Sequence, residues 1–340
     1  MKTLMIGGTH FIGTYIAREL IAQGHAVVLM NRGRQKPLFD LDVESILCDK
    51  REIVDKRLVI DQHGFDLVID MMANSMATSR PVFSFFEGRV DRLCMISSCD
   101  VYRCFEVIWK ASLEPINNTV FEEESPLRNR LFLRNLDYKG EDPNEMYDKI
   151  PVEAALQKME DTSWTICRLP AVYGPGDWRF KNLARRILDQ RTDWVIGKLE
   201  AAFCFTHGFV ENVARAVVLA ATREEGRNEI FNIGELDTPS CIERYTAISR
   251  VLDHELNVHV AEESKMPWIK DKGPCNLAQQ WVVSSQKIRD VLGFQETFSQ
   301  EESYRRTMEW EMENQPDNLE PEFFNYEAED RYLRGLSSEA

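Results

Sequence analysis

The run Leu4-Met5-Ile6-Gly7-Gly8-Thr9-His10-Phe11-Ile12-Gly13 constrains this chain more than any other segment. Thr3–Ile6 reads as a buried strand, and Ile12–Ala22 reads as a helix whose Ile12, Tyr15, Ile16 and Leu20 share one face. The glycines lie between them, where Gly7 permits a tight turn and Gly13 lets the helix pack closely on the strand. Such a strand–turn–helix presents free backbone N–H groups to a pyrophosphate. The candidate cofactor residues here are Gly7, Thr9, His10, Phe11, Ile12 and Gly13. A dinucleotide fingerprint has glycine where His10 stands, so that side chain must turn away from the phosphates or contact them. The competing reading is a purely structural turn.

The remainder of the chain repeats the alternation. Ala26–Met30, Ser45–Cys48, Leu67–Met71, Arg92–Ser97, Trp164–Arg168 and Glu229–Ile233 read as strands. Val152–Met159, Phe180–Leu188, Asn212–Ala221 and Ile242–Leu252 read as helices. Nearly all-apolar strands alternating with helices predict an α/β fold, a Rossmann-type doubly wound parallel sheet covered on both faces. A smaller C-terminal α+β lobe follows. The expected division is a dinucleotide domain over 1–170 and about 203–234, a substrate lobe over 171–202 and 235–310, and an acidic tail over 311–340.

Charge sharpens this division. The chain carries 41 basic and 56 acidic side chains, a net of -15. From Glu309 onward ten acids face only Arg331 and Arg334, so about half of the excess is in the tail. The tail also carries Phe323, Phe324 and Tyr326, which predicts partial docking. An acid excess argues against a phosphate-backbone binder, and so against a nucleic-acid partner. The second strand, however, ends Asn31-Arg32-Gly33-Arg34, with two guanidiniums where an NAD site usually places an acid. Arginine suits a 2′-phosphate, so the cofactor is read as NADP or NAD, with NADP favoured and Asn31 and Arg32 as contacts. Asp49, after the third strand, is placed to accept from the adenine amino group; a solvated turn acid is its alternative.

Eight cysteines lack zinc-ligand spacing, and Cys94 and Cys167 lie within apolar strands. With no membrane-length apolar run and no signal-like start, the expected setting is soluble, reduced and cytoplasmic.

By these residues the chain resembles the extended and atypical short-chain dehydrogenase/reductases, the NAD-dependent epimerase/dehydratase family. The likeness extends through Ile96-Ser97-Ser98-Cys99-Asp100-Val101-Tyr102, Arg168-Leu169-Pro170-Ala171-Val172-Tyr173-Gly174-Pro175-Gly176-Asp177, Phe205-Thr206-His207-Gly208-Phe209-Val210 and Ile230-Phe231-Asn232-Ile233-Gly234. The resemblance implies that Ser98 hydrogen-bonds the reacting oxygen and that Lys149, four residues before Glu153, binds the nicotinamide ribose. It also implies that Pro170 and Val172 belong to the loop over the nicotinamide. The family's dehydratases carry Asp then Glu after the Ser98 position; Cys99-Asp100 departs from that pattern, leaving Asp100 as one acid/base.

The family pair Tyr-x-x-x-Lys is also altered, because Glu145 stands four residues before Lys149 and Tyr147 only two. Two helical residues rotate about 200°, so Tyr147 and Lys149 share a site only if Tyr147 precedes the helix. Asp148 as N-cap and Pro151 in the first turn predict that start. Tyr147 is therefore the expected acid/base, with Glu145 as its rival.

Candidate substrate contacts are Asp100, Tyr102, Arg134, Tyr173 and His207, with Trp178 as a pocket wall and Arg103 and Arg179 as further anion-binding candidates. The implied activity is epimerisation, dehydration or reduction, by hydride transfer, of a hydroxylated, sugar-like or nucleotide-sugar small molecule. The alternative is a non-catalytic, RNA-associated nucleotide-binding protein, since some relatives with this glycine opening associate with RNA. Family precedent also leaves a homodimer open.

Overall fold

The computed structural model of the chain describes residues 1–133, 142, 145–266, 268, 275–317 and 319–339. Its strands are β1 Lys2–Ile6, β2 Ala26–Asn31, β3 Glu44–Leu47, β4 Leu67–Asp70, β5 Arg92–Ser98, β6 Ser163–Leu169, β7 Ala171–Tyr173, β8 Asp193–Gly197, β9 His207–Phe209, β10 Glu229–Asn232 and β11 Asn257–Ala261. Among the described residues, seven strands form one parallel sheet in the order β10-β6-β5-β4-β1-β2-β3. The order reverses between β1 and β4, and a doubly wound sheet opens its crevice at such a switch point. The expected fold class is the observed one.

The central strands read as apolar runs because both faces are covered. On one face Met5, Leu29, Leu67, Ile69 and Cys167 pack with α1 Phe11–Ala22 and α8 Val210–Thr222. On the other, Leu4, Ile6, Val28, Val68, Leu93 and Ile166 pack with α3 Met76–Phe86 and α5 Lys149–Leu156. α2 Arg57–His63 lies between β3 and β4, and α4 Arg103–Ile108 follows β5. The expected strands and helices are all present, most with ends shifted by one or two residues and α5 by three at each end.

Outside the sheet, β8 pairs in parallel with β11, and β7 with β9. Around them lie α6 Lys181–Leu188, α7 Lys198–Ala202, α9 Cys241–Val251, α10 Gln286–Leu292 and α11 Gln300–Glu313. Local chemistry sets the helix starts: Ser240 and Glu243 make a reciprocal capping box on α9, and Ser299 accepts from the Glu302 amide on α11.

The tail docks. α12 Tyr326–Glu339 lays Glu329 against the buried Arg186 of α6 in a two-pronged ion pair of 2.9 and 2.6 Å. Tyr326 donates to Asp189 at 2.7 Å, and the Phe323 carbonyl accepts from Arg186 at 2.7 Å. Part of the acid excess is therefore paired with Arg186 and Arg191. None of the described helices is long and apolar enough to cross a membrane.

Candidate active site

A cleft of about 750 Å³ opens at the switch point. Its floor is the glycine turn, since Gly7, Thr9, His10, Phe11, Ile12 and Gly13 all line it. Gly7 has φ +91°, and a Cβ there would sit 2.5 Å from Met72 Cγ. A Cβ on Gly13 would come within 2.9 Å of the Gly8 Cα, which shows how closely α1 approaches the turn. α1 has no acidic residue in its first turn and no side-chain cap from His10, so its leading N–H groups are left for an acceptor in the cleft. His10 is exposed beside them. This cradle fits the pyrophosphate of a dinucleotide.

At the other wall Asn31, Arg32 and Arg34 line the cleft, and Asn31 Oδ1 accepts from the Gly33 amide at 2.7 Å. Both arginines are exposed. Asp49 also lines the cleft but spends one oxygen capping the next turn, where it accepts from the Arg51 amide at 3.0 Å.

The far end holds Tyr147. Asp148 caps α5 by accepting from the Ile150 amide at 2.9 Å, so Lys149 is the first helical residue and Tyr147 lies just outside. That start resolves the two-residue spacing, and Lys149 Nζ lies 5.7 Å from the centre of the Tyr147 ring. Tyr147 donates to Asp100 Oδ2 at 3.1 Å. Lys149 is buried and donates to Asn74 Oδ1 and the Ile96 carbonyl, each at 2.9 Å. Burial pushes its pKa down to about 8 against the supporting charges of Asp70, Asp100 and Glu153, while Lys50 lowers it further. Ser98, half-buried at the end of β5, accepts from the Asp100 amide at 3.2 Å, which leaves its hydroxyl hydrogen to donate elsewhere. Glu145 lines the rim, where Arg51 pairs with it at 2.9 Å.

Several expected contacts are corrected. Tyr102 is wholly buried; it donates to Asn232 at 2.6 Å and accepts from Arg168 at 2.9 Å, so it belongs to the core and not to a substrate pocket. Tyr173 is likewise buried, donating to Glu235 at 2.5 Å. His207 is buried among aromatic rings with Nδ1 2.9 Å from the Phe205 carbonyl, and burial holds its pKa well below the usual range, so it is a neutral structural group. Val172 packs into the core, and Pro170 lies beside Gly208 and Gly234; neither lines the cleft. Trp178 donates to the Asn314 carbonyl at 2.6 Å, its ring lies tilted 5.5 Å from that of Trp310 in α11, and it is not among the residues that line the cleft. Arg179 is exposed and pairs with Asp177, and Arg103 begins α4 half-buried. Arg134 lies outside the described residues.

Lys50, Asp70, Met72 and Asn74 went unread in the sequence. An acid ending the otherwise apolar strand Leu67–Asp70 was a signal that a buried cation must lie nearby. Asn74 carried no such sign.

Comparison with known proteins agrees with this architecture. The model of the family described as "NAD dependent epimerase/dehydratase family" matches residues 3–83 and 128–234. The Arabidopsis thaliana chloroplast stem-loop binding protein of 41 kDa b is 24% identical over 254 residues, 68% of this chain and 58% of that protein, so the match spans little more than half of the relative's length. GDP-mannose 3,5-epimerase 1 of Oryza sativa subsp. indica is 22% identical over 282 residues, 76% of this chain and 71% of that protein. In fold, the chain is similar to Thermus thermophilus UDP-glucose 4-epimerase in complex with NAD, with TM-score 0.67, 18% identity and coverage of 93% and 100%. It is similar also to Bacillus anthracis dTDP-glucose 4,6-dehydratase in complex with NAD, with TM-score 0.67, 13% identity and coverage of 93% and 97%. With more than half of its residues matched by that model and the glycine turn in its required place, the chain belongs to the NAD dependent epimerase/dehydratase family.

Proposed function

We propose that this protein is an NAD(P)-dependent enzyme that transfers hydride to and from a carbinol carbon of a hydroxylated, sugar-like or nucleotide-sugar substrate. The observation that carries the reading is that Tyr147, which lines the cleft, donates to the buried Asp100 and has the buried Lys149 ammonium 5.7 Å from its ring centre. A bound nicotinamide supplies the hydride acceptor and donor. Tyr147 Oη takes the substrate hydroxyl proton as its own proton passes to Asp100 Oδ2, and the return path restores both. Ser98 donates to the same substrate oxygen and holds it in place. Lys149 would hold the ribose side of the cofactor, and its Nζ, 5.7 Å from the centre of the Tyr147 ring, sets a positive charge beside the path of the proton. Glu145 is the less suited candidate, because it sits at the exposed rim paired with Arg51. The stem-loop binding named for the Arabidopsis relative supplies the second reading, binding without turnover. A buried carboxylate aimed at a tyrosine in the cleft favours the enzyme. The reading is tested by fluorescence titration with NADPH and NADH, followed by turnover assays on nucleotide sugars; binding of neither dinucleotide overturns it.

Arg32 and Arg34 support a preference for NADP. In the paired Arg32→Ala, Arg34→Ala variant, NADPH affinity is expected to fall by about tenfold or more, as for loss of charge-assisted bonds worth about 1.5–3 kcal/mol. NADH affinity should change little. Equal losses for both dinucleotides would argue for a general electrostatic role instead.

The depressed pKa of Lys149 gives a pH dependence. Below about 8 the ammonium is charged and binds the cofactor; above it the charge is lost. Dinucleotide affinity is therefore expected to weaken as pH rises through about 8 and to show no such step in a Lys149→Met variant. Isothermal titration across pH 6–10 reads both, that interval being set by the about two-unit reach on either side of the midpoint.

A further inference from the structure

Lys50 follows β3 and is the second of four charged residues, Asp49 to Glu52. Unlike its neighbours it turns inward: it is 8% exposed, and it donates to Asp70 Oδ2 at 2.9 Å, to Asp70 Oδ1 at 3.2 Å and to the Met72 carbonyl at 2.7 Å. All three ammonium hydrogens are thereby directed to the C-terminal end of β4 and the turn that follows it. Asp70 reinforces the same turn by accepting from the Met72 amide at 2.8 Å. A wholly buried acid at the end of an apolar strand costs stability unless it is paired, so the cation and the acid stand or fall together.

The clamped turn is the one that meets the rest of the site. Met72 lies against Gly7, where a Cβ would strike its Cγ at 2.5 Å. Asn74 Oδ1 holds Lys149 Nζ at 2.9 Å, and the Asn74 carbonyl accepts from the Asp148 amide at 3.0 Å. Met71, Met72, Asn74 and Ser75 line the cleft. One ammonium thus fixes a turn that touches both the pyrophosphate cradle and the head of α5.

We propose that Lys50, clamped between Asp70 and the Met72 carbonyl, is a positioning residue of the cofactor cleft that sets the place and charge of Lys149 through the turn carrying Asn74. This rests on the dinucleotide reading of the cleft, but the geometry of the clamp does not depend on which reaction follows. The charged groups around Lys149 are Asp70 from β4, Asp100 from the turn after β5, Glu153 from α5 and Lys50 itself. The three acids support its charge and Lys50 opposes it.

The opposed signs give a test that loosened packing alone would not mimic. The ¹³Cε resonance of Lys149 is followed against pH in cofactor-free protein carrying [¹³C]lysine. Lys50→Gln keeps a donor for Asp70 but removes the charge; it is expected to raise the Lys149 midpoint by about one pH unit. Asp70→Asn is expected to lower it by a similar amount, and the double variant to return it towards the starting value. With NADPH as probe, Lys50→Gln should also weaken binding about tenfold, as the turn loses its clamp. Midpoints that stay put, or that move in one direction for both single variants, overturn the proposal, as does unchanged NADPH affinity. Should Lys50→Gln fail to fold, Asp70→Asn and the double variant retain the same opposed comparison. Parent protein that bound neither NADPH nor NADH would remove the dinucleotide reading instead, while the Lys149 titrations would still judge the clamp.

Discussion

Tyr147→Phe is expected to lower turnover of an identified substrate by about 10²–10⁴-fold, the range for loss of a positioned acid/base. Dinucleotide affinity should stay close to that of the parent protein. Phenylalanine keeps the ring whose centre lies 5.7 Å from Lys149 Nζ and removes only the oxygen that donates to Asp100. The substitution therefore separates proton transfer from cofactor binding. Asp100→Asn should reproduce most of the loss, because an amide cannot receive the tyrosine proton as the carboxylate does. Glu145→Gln should cost little, its carboxylate being paired with Arg51 at the rim. The measurement is steady-state kcat on each variant beside NADPH titration. Retained activity in Tyr147→Phe, with a large loss in Glu145→Gln, would move the base to Glu145 and sink the assignment.

The sheet could be read from the sequence because its strands are buried on both faces and announce themselves as short apolar runs. Leu67–Ile69 or Leu93–Ile96 could hardly be anything else between their polar flanks. The start of α5 was equally legible: Asp148 and Pro151 are local signals, and a helix start is a local event. What the sequence could not display was the direction in which buried polar side chains turn. Tyr102, Tyr173 and His207 sit in stretches typical of the family, yet their partners, Asn232, Glu235 and the Phe205 carbonyl, are met only once the chain has folded back. Residues 62 to 130 positions apart make the first two bonds, and no local pattern reports such a pairing. The same blindness hid Lys50. Within a run of charged turn residues nothing distinguishes an ammonium that enters the core from one that remains in water.

The head of α5 carries the second large effect. Asp148 is wholly buried and accepts four bonds: from the Ile150 amide at 2.9 Å, from the Phe132 amide at 2.6 Å, and from both terminal nitrogens of Arg128 at 2.8 and 2.9 Å. Asp148→Ala removes the helix cap and leaves the guanidinium of Arg128, itself 5% exposed, without its counter-ion. Breaking one side of a buried pair costs about 3–5 kcal/mol, and the lost cap adds about 1 kcal/mol. Urea unfolding should therefore show a loss of about 4–6 kcal/mol by these two terms. Asp148→Asn should fall between parent and alanine, since the amide oxygen still caps Ile150 but carries no charge. The paired change Arg128→Met, Asp148→Ala distinguishes the two causes. With the cation also gone, the stranded charge disappears; the cap, the Phe132 contact and the Arg128 bonds to the Asp100 and Arg130 carbonyls remain lost, so only part of the stability should return. If the double variant is no more stable than Asp148→Ala, the ion pair is not what holds this corner. The cap would then carry the burden of keeping Tyr147 outside α5 and Lys149 at its first position, the placement on which the whole site depends.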